Sequence, residues 1–284
     1  MHVVVVFNTK GGVGKTTLVA NLGGLAADAD LRVLMLDLDI QPTLSSYFEL
    51  SHLAFEGVYE LLALNQRSLE QLVSHTRIPR LDLIVSNDPL GQLGTLLLHA
   101  PDGRLRLRNL LPIFAPHYDL LLIDTQGARS VLLEMALLAA DLALSPVVPE
   151  ILAARELHRG TLQLLDDIAP YCQLGIQPPP LHLLINRVHP VSLDARHIQH
   201  ALREVLASKT GIHVLRTSIP ALDAYPRAAT LQLPVHRVEY HKPRLRSAPS
   251  ALDSMCDVAR ELLPMWAERF AQVKAHRQQG SDHA

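Results

Sequence analysis

The chain has 284 residues, 48% of them hydrophobic, and a formal net charge of −2, which suits one large α/β core with no linker to divide it. Its two cysteines, Cys172 and Cys256, lie far apart and match no metal or redox spacing, which argues against a disulfide framework and for a reduced, cytosolic setting. The longest apolar zone, 131–149, contains Glu134, Asp141 and two prolines, which argues against a membrane span.

In chain order, short apolar runs at Val3–Phe7, Arg32–Asp37, Leu81–Ser86, Leu120–Asp124, Leu142–Val148, Leu181–Asn186 and, weakly, His213–Leu215 predict strands. Helical patterns lie between them at Thr16–Ala29, Val58–Leu64, Leu105–Phe114, Val131–Ala140, Ala153–Ile168 and Asp194–Ser208. Continuous apolar strands alternating with helices predict an α/β fold of three layers, a doubly wound, mostly parallel sheet with ligands at the C-terminal ends of its strands. The last helical pattern, Ala251–Lys274, puts Leu252, Met255, Ala259, Leu262, Trp266, Phe270 and Val273 on one face. Its polar face mixes both charges, so core packing is expected rather than membrane contact, with a kink or break at Pro264. One domain over 1–275 and a polar tail over 276–284 complete the layout. The N-terminus lacks a basic region and runs directly into the phosphate loop, so no cleavable leader is expected.

The first strand run leads into Thr9-Lys10-Gly11-Gly12-Val13-Gly14-Lys15-Thr16-Thr17. A phosphate-binding loop needs backbone N–H groups around the phosphates, a lysine on the terminal ones and a hydroxyl on Mg²⁺; Gly14, Lys15 and Thr16 meet the pattern. Thr9 stands where its first glycine belongs, and the extra Lys10 follows at once. Asp37 and Asp39 close the second strand two residues apart. Beside a phosphate loop, one can serve the metal while the other orients water. Asp124 ends a run of four apolar residues, the Walker B arrangement in which a buried strand delivers a carboxylate to the metal.

These three segments resemble the deviant Walker A ATPases of the ParA and MinD superfamily over about residues 2–265. Asp37-x-Asp39-x-Gln41 is similar to their first switch, in a form closer to ParA, and Asp124-Thr125 to the start of their second. The resemblance implies ATP and Mg²⁺ at the interface of an ATP-dependent homodimer. Lys10 would reach the partner subunit's phosphates, and Lys15 would hold the β and γ phosphates of its own ATP. Thr16 would ligate Mg²⁺, Asp39 would activate water, Asp124 would act on the metal through water, and Asp37 would lie nearby. Asn186-Arg187 resembles an adenine-contacting pair, with Pro220 flanking the base. The family's second switch often carries a proline where this chain has Gln126-Gly127; the glycine could supply unusual backbone angles.

The span 187–246 holds 10 Lys/Arg against 4 Asp/Glu, a local excess that can attract a polyanion. Arg216, Arg227, Arg237, Lys242, Arg244 and Arg246 are its candidate DNA contacts. His197 and His200 lie three apart without a carboxylate or cysteine in a ligand pattern, so a solvated helix face is expected rather than a metal site. The combined expectation is a ParA-like, cytoplasmic, nucleoid-associated partition ATPase that binds DNA without sequence preference and is stimulated by a ParB-like activator. The alternatives are a MinD-like positioning ATPase at a membrane or polar machine, or a ligase resembling dethiobiotin synthetase.

Overall fold

The computed structural model describes residues 1–150, 157–189, 197–201, 203–204 and 211–281. Among them, nine strands form one sheet: β1 (His2–Val6), β2 (Val33–Asp37), β3 (Leu50–His52), β4 (Ser74–Thr76), β5 (Leu81–Ile84), β6 (Leu120–Asp124), β7 (Leu142–Val147), β8 (Leu181–Val188) and β9 (Ile212–Pro220). Their spatial order is β3-β4-β5-β2-β6-β1-β7-β8-β9. The pairings are parallel except for the two made by β4.

Side chains alternate across a strand, and here both sets are apolar because both faces are covered. Val4, Val6, Val33, Met35, Leu120 and Leu122 pack in one core with helices α1 (Lys15–Asp28), Ala251–Leu262 and Ala267–Ser281. Val3, Val5, Leu34, Leu36, Leu121 and Ile123 pack on the other side with α2 (Val58–Ala63), Gln92–His99, Arg106–Leu110, Val131–Ala139 and Gln163–Ile168. The result is the three-layer, doubly wound sheet that the pattern predicts. It places Val6, Asp37, Ser86, Asp124, Val148 and Val188 at or just beyond the C-terminal ends of their strands, along one rim.

Several elements depart from the sequence reading. Strands β3 and β4, and the helix Gln92–His99, were not predicted. Ser74-His75-Thr76 carries no apolar run; its place is fixed by pairing with β5 and β3, not by burial of two faces. The weak strand at 213–215 lies near the start of the nine-residue β9, whose length follows from pairing with β8 and from packing of the Ala251–Leu262 helix. Leu105–Phe114 divides into a short α-helix, Arg106–Leu110, flanked by 3₁₀ turns. The C-terminal pattern breaks after Leu262: Pro264, which lacks an amide hydrogen, opens a 3₁₀ turn before the Ala267–Ser281 helix. Leu252, Met255, Ala259, Leu262, Phe270 and Val273 are buried as expected. Residues 151–156 of the expected helix Ala153–Ile168 lie outside the described residues; the remainder is a π-helical stretch, Leu157–Leu162, and the helix Gln163–Ile168. Of Asp194–Ser208, residues 197–201 and 203–204 are described and are helical.

Candidate functional site

The phosphate loop is shaped from both ends. At its start, Asn8 Nδ2 donates to Ser145 Oγ (3.1 Å) and to the Pro146 carbonyl (2.9 Å), while its Oδ1 accepts from the Lys10 backbone amide (2.8 Å). Asn8 was not singled out in the sequence; a polar residue between a buried strand and a glycine loop was the available signal. At its end, Gly12 (φ 74°) and Gly14 (φ 95°) occupy the left-handed region, which glycine enters without a Cβ penalty. Gly14 is the N-cap of α1, no acidic side chain occupies the first turn, and unpaired amides with the positive end of the helix dipole favour a phosphate there.

Lys15 is buried to 7% exposure. Burial pulls its pKa below the usual lysine range, and the neighbouring Asp124 and Asp39 carboxylates partly restore it. Asp37 and Asp124 are fully buried and are register partners across β2 and β6. Burial pushes the Asp124 carboxyl up to about 7, an effect that the Thr16 hydroxyl only partly offsets and that Asp37 and Asp39 reinforce. Asp37 rises to about 6, again through burial, although Ser45 donates to its Oδ2 from both hydroxyl (2.7 Å) and amide (2.8 Å). Asp124 Oδ2 is buried without a hydrogen-bond partner. A buried orphan carboxylate oxygen beside a helix-terminal hydroxyl and a second carboxylate is a donor set suited to a hard cation or its water. The residues present therefore fit Mg²⁺.

Asp39 sits beyond β2 with its Oδ1 accepting from the Gln41 amide (3.1 Å). Just beyond β6, Gly127 lies so close to the phosphate loop that an added Cβ would stand 3.0 Å from Gly11 Cα and 3.4 Å from Lys15 Nζ. Its φ is not left-handed, so close approach, rather than an unusual backbone angle, explains the glycine. Lys10 Nζ meets Glu150 Oε2 at 2.7 Å, both side chains being exposed.

From the end of β8, Asn186 Nδ2 donates to the Val13 carbonyl (2.8 Å) and Arg187 Nη1 to the Gly12 carbonyl (2.7 Å). Arg187 itself is left-handed (φ 55°), a conformation that costs a non-glycine residue about 1 kcal/mol or more. Beside them opens a cleft of ≈ 520 Å³ lined by Gly14, Thr17, Asn186, Arg187, Pro220 and Tyr225, with Met255 on its wall. That volume lies within the range of small-ligand sites.

The six basic candidates separate into two groups. Arg237 binds Asp28 through Nε (2.9 Å) and Nη2 (2.5 Å), and Arg246 binds Glu239 through Nη1 (3.0 Å) and Nη2 (2.6 Å). Both guanidinium groups are thus engaged within the fold. Arg216, Arg227, Lys242 and Arg244 are exposed, although Arg227 also donates to the Val238 carbonyl (3.0 Å). His200 pairs with Glu204 on an exposed helix face (3.2 Å). Among the described residues no group of three histidine, cysteine or acidic side chains is arranged around a metal position. None of the described helices is long and apolar enough to cross a membrane.

A parallel sheet whose first strand opens into a phosphate loop, with strand-end carboxylates beside the loop lysine, is the construction of the P-loop ATPases. Residues 1–171 match the family model described as an AAA domain, and the chain belongs to the ParA/MinD-type family of P-loop ATPases. It is 32% identical over 161 residues to the chromosome partitioning protein ParA of Myxococcus xanthus, an alignment spanning 56% of this chain and 56% of that one. It is 28% identical to the sporulation initiation inhibitor protein Soj of Bacillus subtilis over 90% of this chain and 98% of Soj. The fold is similar to that of Cyanothece McdA in its ATP complex, with a TM-score of 0.71, 22% identity and coverage of 97% of this chain and 95% of McdA.

Proposed function

We propose that the chain is a ParA-like partition ATPase. On this reading it binds Mg-ATP, dimerises around it, holds DNA without sequence preference, and hydrolyses ATP under stimulation by a ParB-like partner. The observation that carries the reading is the convergence of Asp37, Asp39 and Asp124 on Lys15 and Thr16 at the rim of the sheet. The similarity to ParA and Soj supports the choice of partition over the other activities of the fold.

In the mechanism that this arrangement supports, the amides of Gly12–Thr17 and the Lys15 ammonium receive the triphosphate, and the cleft beside Asn186, Arg187 and Pro220 receives the base. Thr16 would hold Mg²⁺, with Asp124 and Asp37 acting on it or its water; the ion, when bound, neutralises charge on the transferred phosphoryl group. Asp39 orients the attacking water and takes its proton. Lys10, released from Glu150, reaches the phosphates of the partner subunit.

The test is the variant Asp39→Ala, assayed for phosphate release and for ATP-dependent dimerisation. The expected result is normal nucleotide binding and dimer formation with loss of turnover, because the carboxylate works on water and does not hold nucleotide. Wild-type turnover in the variant would remove Asp39 from the mechanism. Stimulation by DNA with a basic peptide supports partition; stimulation by a small carboxylate substrate instead would favour a ligase.

A further inference from the structure

The first-switch loop is tied to a segment that the nucleotide-binding reading does not use. Just beyond β5, Ser86, Asn87 and Asp88 each bind a different element. Asp88 accepts from the Gln92 and Leu93 amides (both 2.9 Å), fixing the start of the Gln92–His99 helix. Asn87 accepts from the Tyr59 amide (2.8 Å) and donates to Glu60 Oε2 (2.6 Å), which in turn accepts from the Gly57 amide (2.9 Å); this fixes the start of α2. Ser86 donates from Oγ to the Asp39 carbonyl (2.6 Å), and its amide donates to Ser45 Oγ (2.9 Å).

Ser45 passes the connection on to the Asp37 carboxylate through its own hydroxyl and amide. The loop from Asp37 to Ser45 is thus held near both ends by Ser86, and the tripeptide Ser86–Asp88 is itself held by two helix starts. Besides this contact, the Asp39 amide donates to Asp37 Oδ1 (3.2 Å) and its side chain receives the Gln41 amide (3.1 Å), both from within the same stretch of chain. A loop residue locates a reacting atom only as well as the structure under it is fixed. The one hydroxyl that joins the Asp39 main chain to the fixed junction is Ser86 Oγ.

We propose that Ser86 is a positioning residue for hydrolysis, setting where the Asp39 carboxylate stands relative to the phosphate loop. The proposal rests on the reading above that Asp39 orients the attacking water. It separates Ser86 from Ser45: Ser45 serves the Asp37 carboxylate, whereas the Ser86 hydroxyl serves Asp39 alone. Removing that hydroxyl leaves the Ser86 amide bond to Ser45 in place, so the variant Ser86→Ala isolates the Asp39 contact.

The experiment measures steady-state ATP turnover, KM for ATP, ATP-dependent dimerisation and thermal midpoint for wild type, S86A, S86T and D39A. The expected result for S86A is a kcat lower by roughly five- to tenfold, the scale of one lost neutral hydrogen bond, with KM and dimerisation within twofold of wild type. S86T, which keeps the hydroxyl at a half-exposed position, retains wild-type kcat. Three results would overturn the proposal: unchanged kcat in S86A, an equal loss in S86T, or a loss of ATP binding and dimerisation that matches the loss of turnover. If D39A hydrolyses ATP normally, or wild type does not hydrolyse it, the reading of Asp39 fails first and Ser86 falls with it. If D39A is inactive and S86A is not, only the Ser86 assignment fails.

Discussion

Two lysines five residues apart in one loop have different surroundings, and their different exposure predicts different defects. Lys15 is buried among Asp39, Asp124 and the loop amides, so Lys15→Ala should remove a charge on which the phosphates depend. ATP affinity measured by calorimetry is expected to fall by about 2 kcal/mol or more, the range for losing a hydrogen bond to a charged group. Lys10 is more exposed and pairs with Glu150, so Lys10→Ala should bind ATP almost as well as wild type yet fail to dimerise with it. Light scattering with and without ATP checks this; normal dimers in both variants would exclude the cross-subunit role. Gly127 carries a related lesson. Its role comes from where Gly11 and Lys15 Nζ stand, and no backbone rule applied to Gln126-Gly127 shows that.

At the level of elements, α1 is joined at its far end to the turn Val235–Arg237. Asp28, in the last turn of α1, accepts from His236 and from Arg237 in a bidentate pair. A carboxylate at a helix C-terminus is disfavoured by the dipole, and burial by itself would raise its pKa. The hydrogen bonds from His236 and Arg237 outweigh burial and hold Asp28 well below the usual carboxylate range. A folded pKa below the unfolded one means that the pair stabilises the protein above about pH 4 and that this contribution is lost as the pH falls further. Asp28→Asn should therefore cost roughly 2–3 kcal/mol at pH 7, less than for a fully buried pair. Denaturant midpoints should show the gap to wild type closing below about pH 4; a gap independent of pH would show that the carboxylate charge contributes nothing. The same contact explains why Arg237 stabilises the fold at this position.

Over the whole molecule, the basic excess of residues 187–246 is smaller in effect than its count, since Arg237 and Arg246 are neutralised by Asp28 and Glu239. Lys242 and Arg244 are exposed and form no ion pair among the described residues, and Leu245 stands fully exposed beside them. If the ATP dimer doubles this surface, log affinity for duplex DNA should fall with log salt by about 0.9 per phosphate neutralised. Arg244→Glu should weaken binding to all sequences alike and leave basal ATP turnover unchanged. Fluorescence titration at two salt concentrations decides the point: salt-independent binding, or equal binding without ATP, would contradict it.

The sequence alone determined the alternation of buried strands and helices, the phosphate loop and the positions of Asp37, Asp39 and Asp124. Those features are local: a strand buried on both faces must be apolar throughout, and a loop that receives phosphate needs glycines and a lysine in fixed order. The edge strands β3 and β4 were not legible, because Ser74-His75-Thr76 is held by main-chain pairing and buries little apolar surface. The anchoring roles of Asn8, Ser45 and Ser86 were equally hidden. Each depends on a partner 8 to 138 residues away, and a lone polar residue at a strand end carries no mark of what it will bind. Only the tertiary structure separated Arg237 and Arg246 from Arg244, since a guanidinium's availability is set by the carboxylate that folding brings beside it.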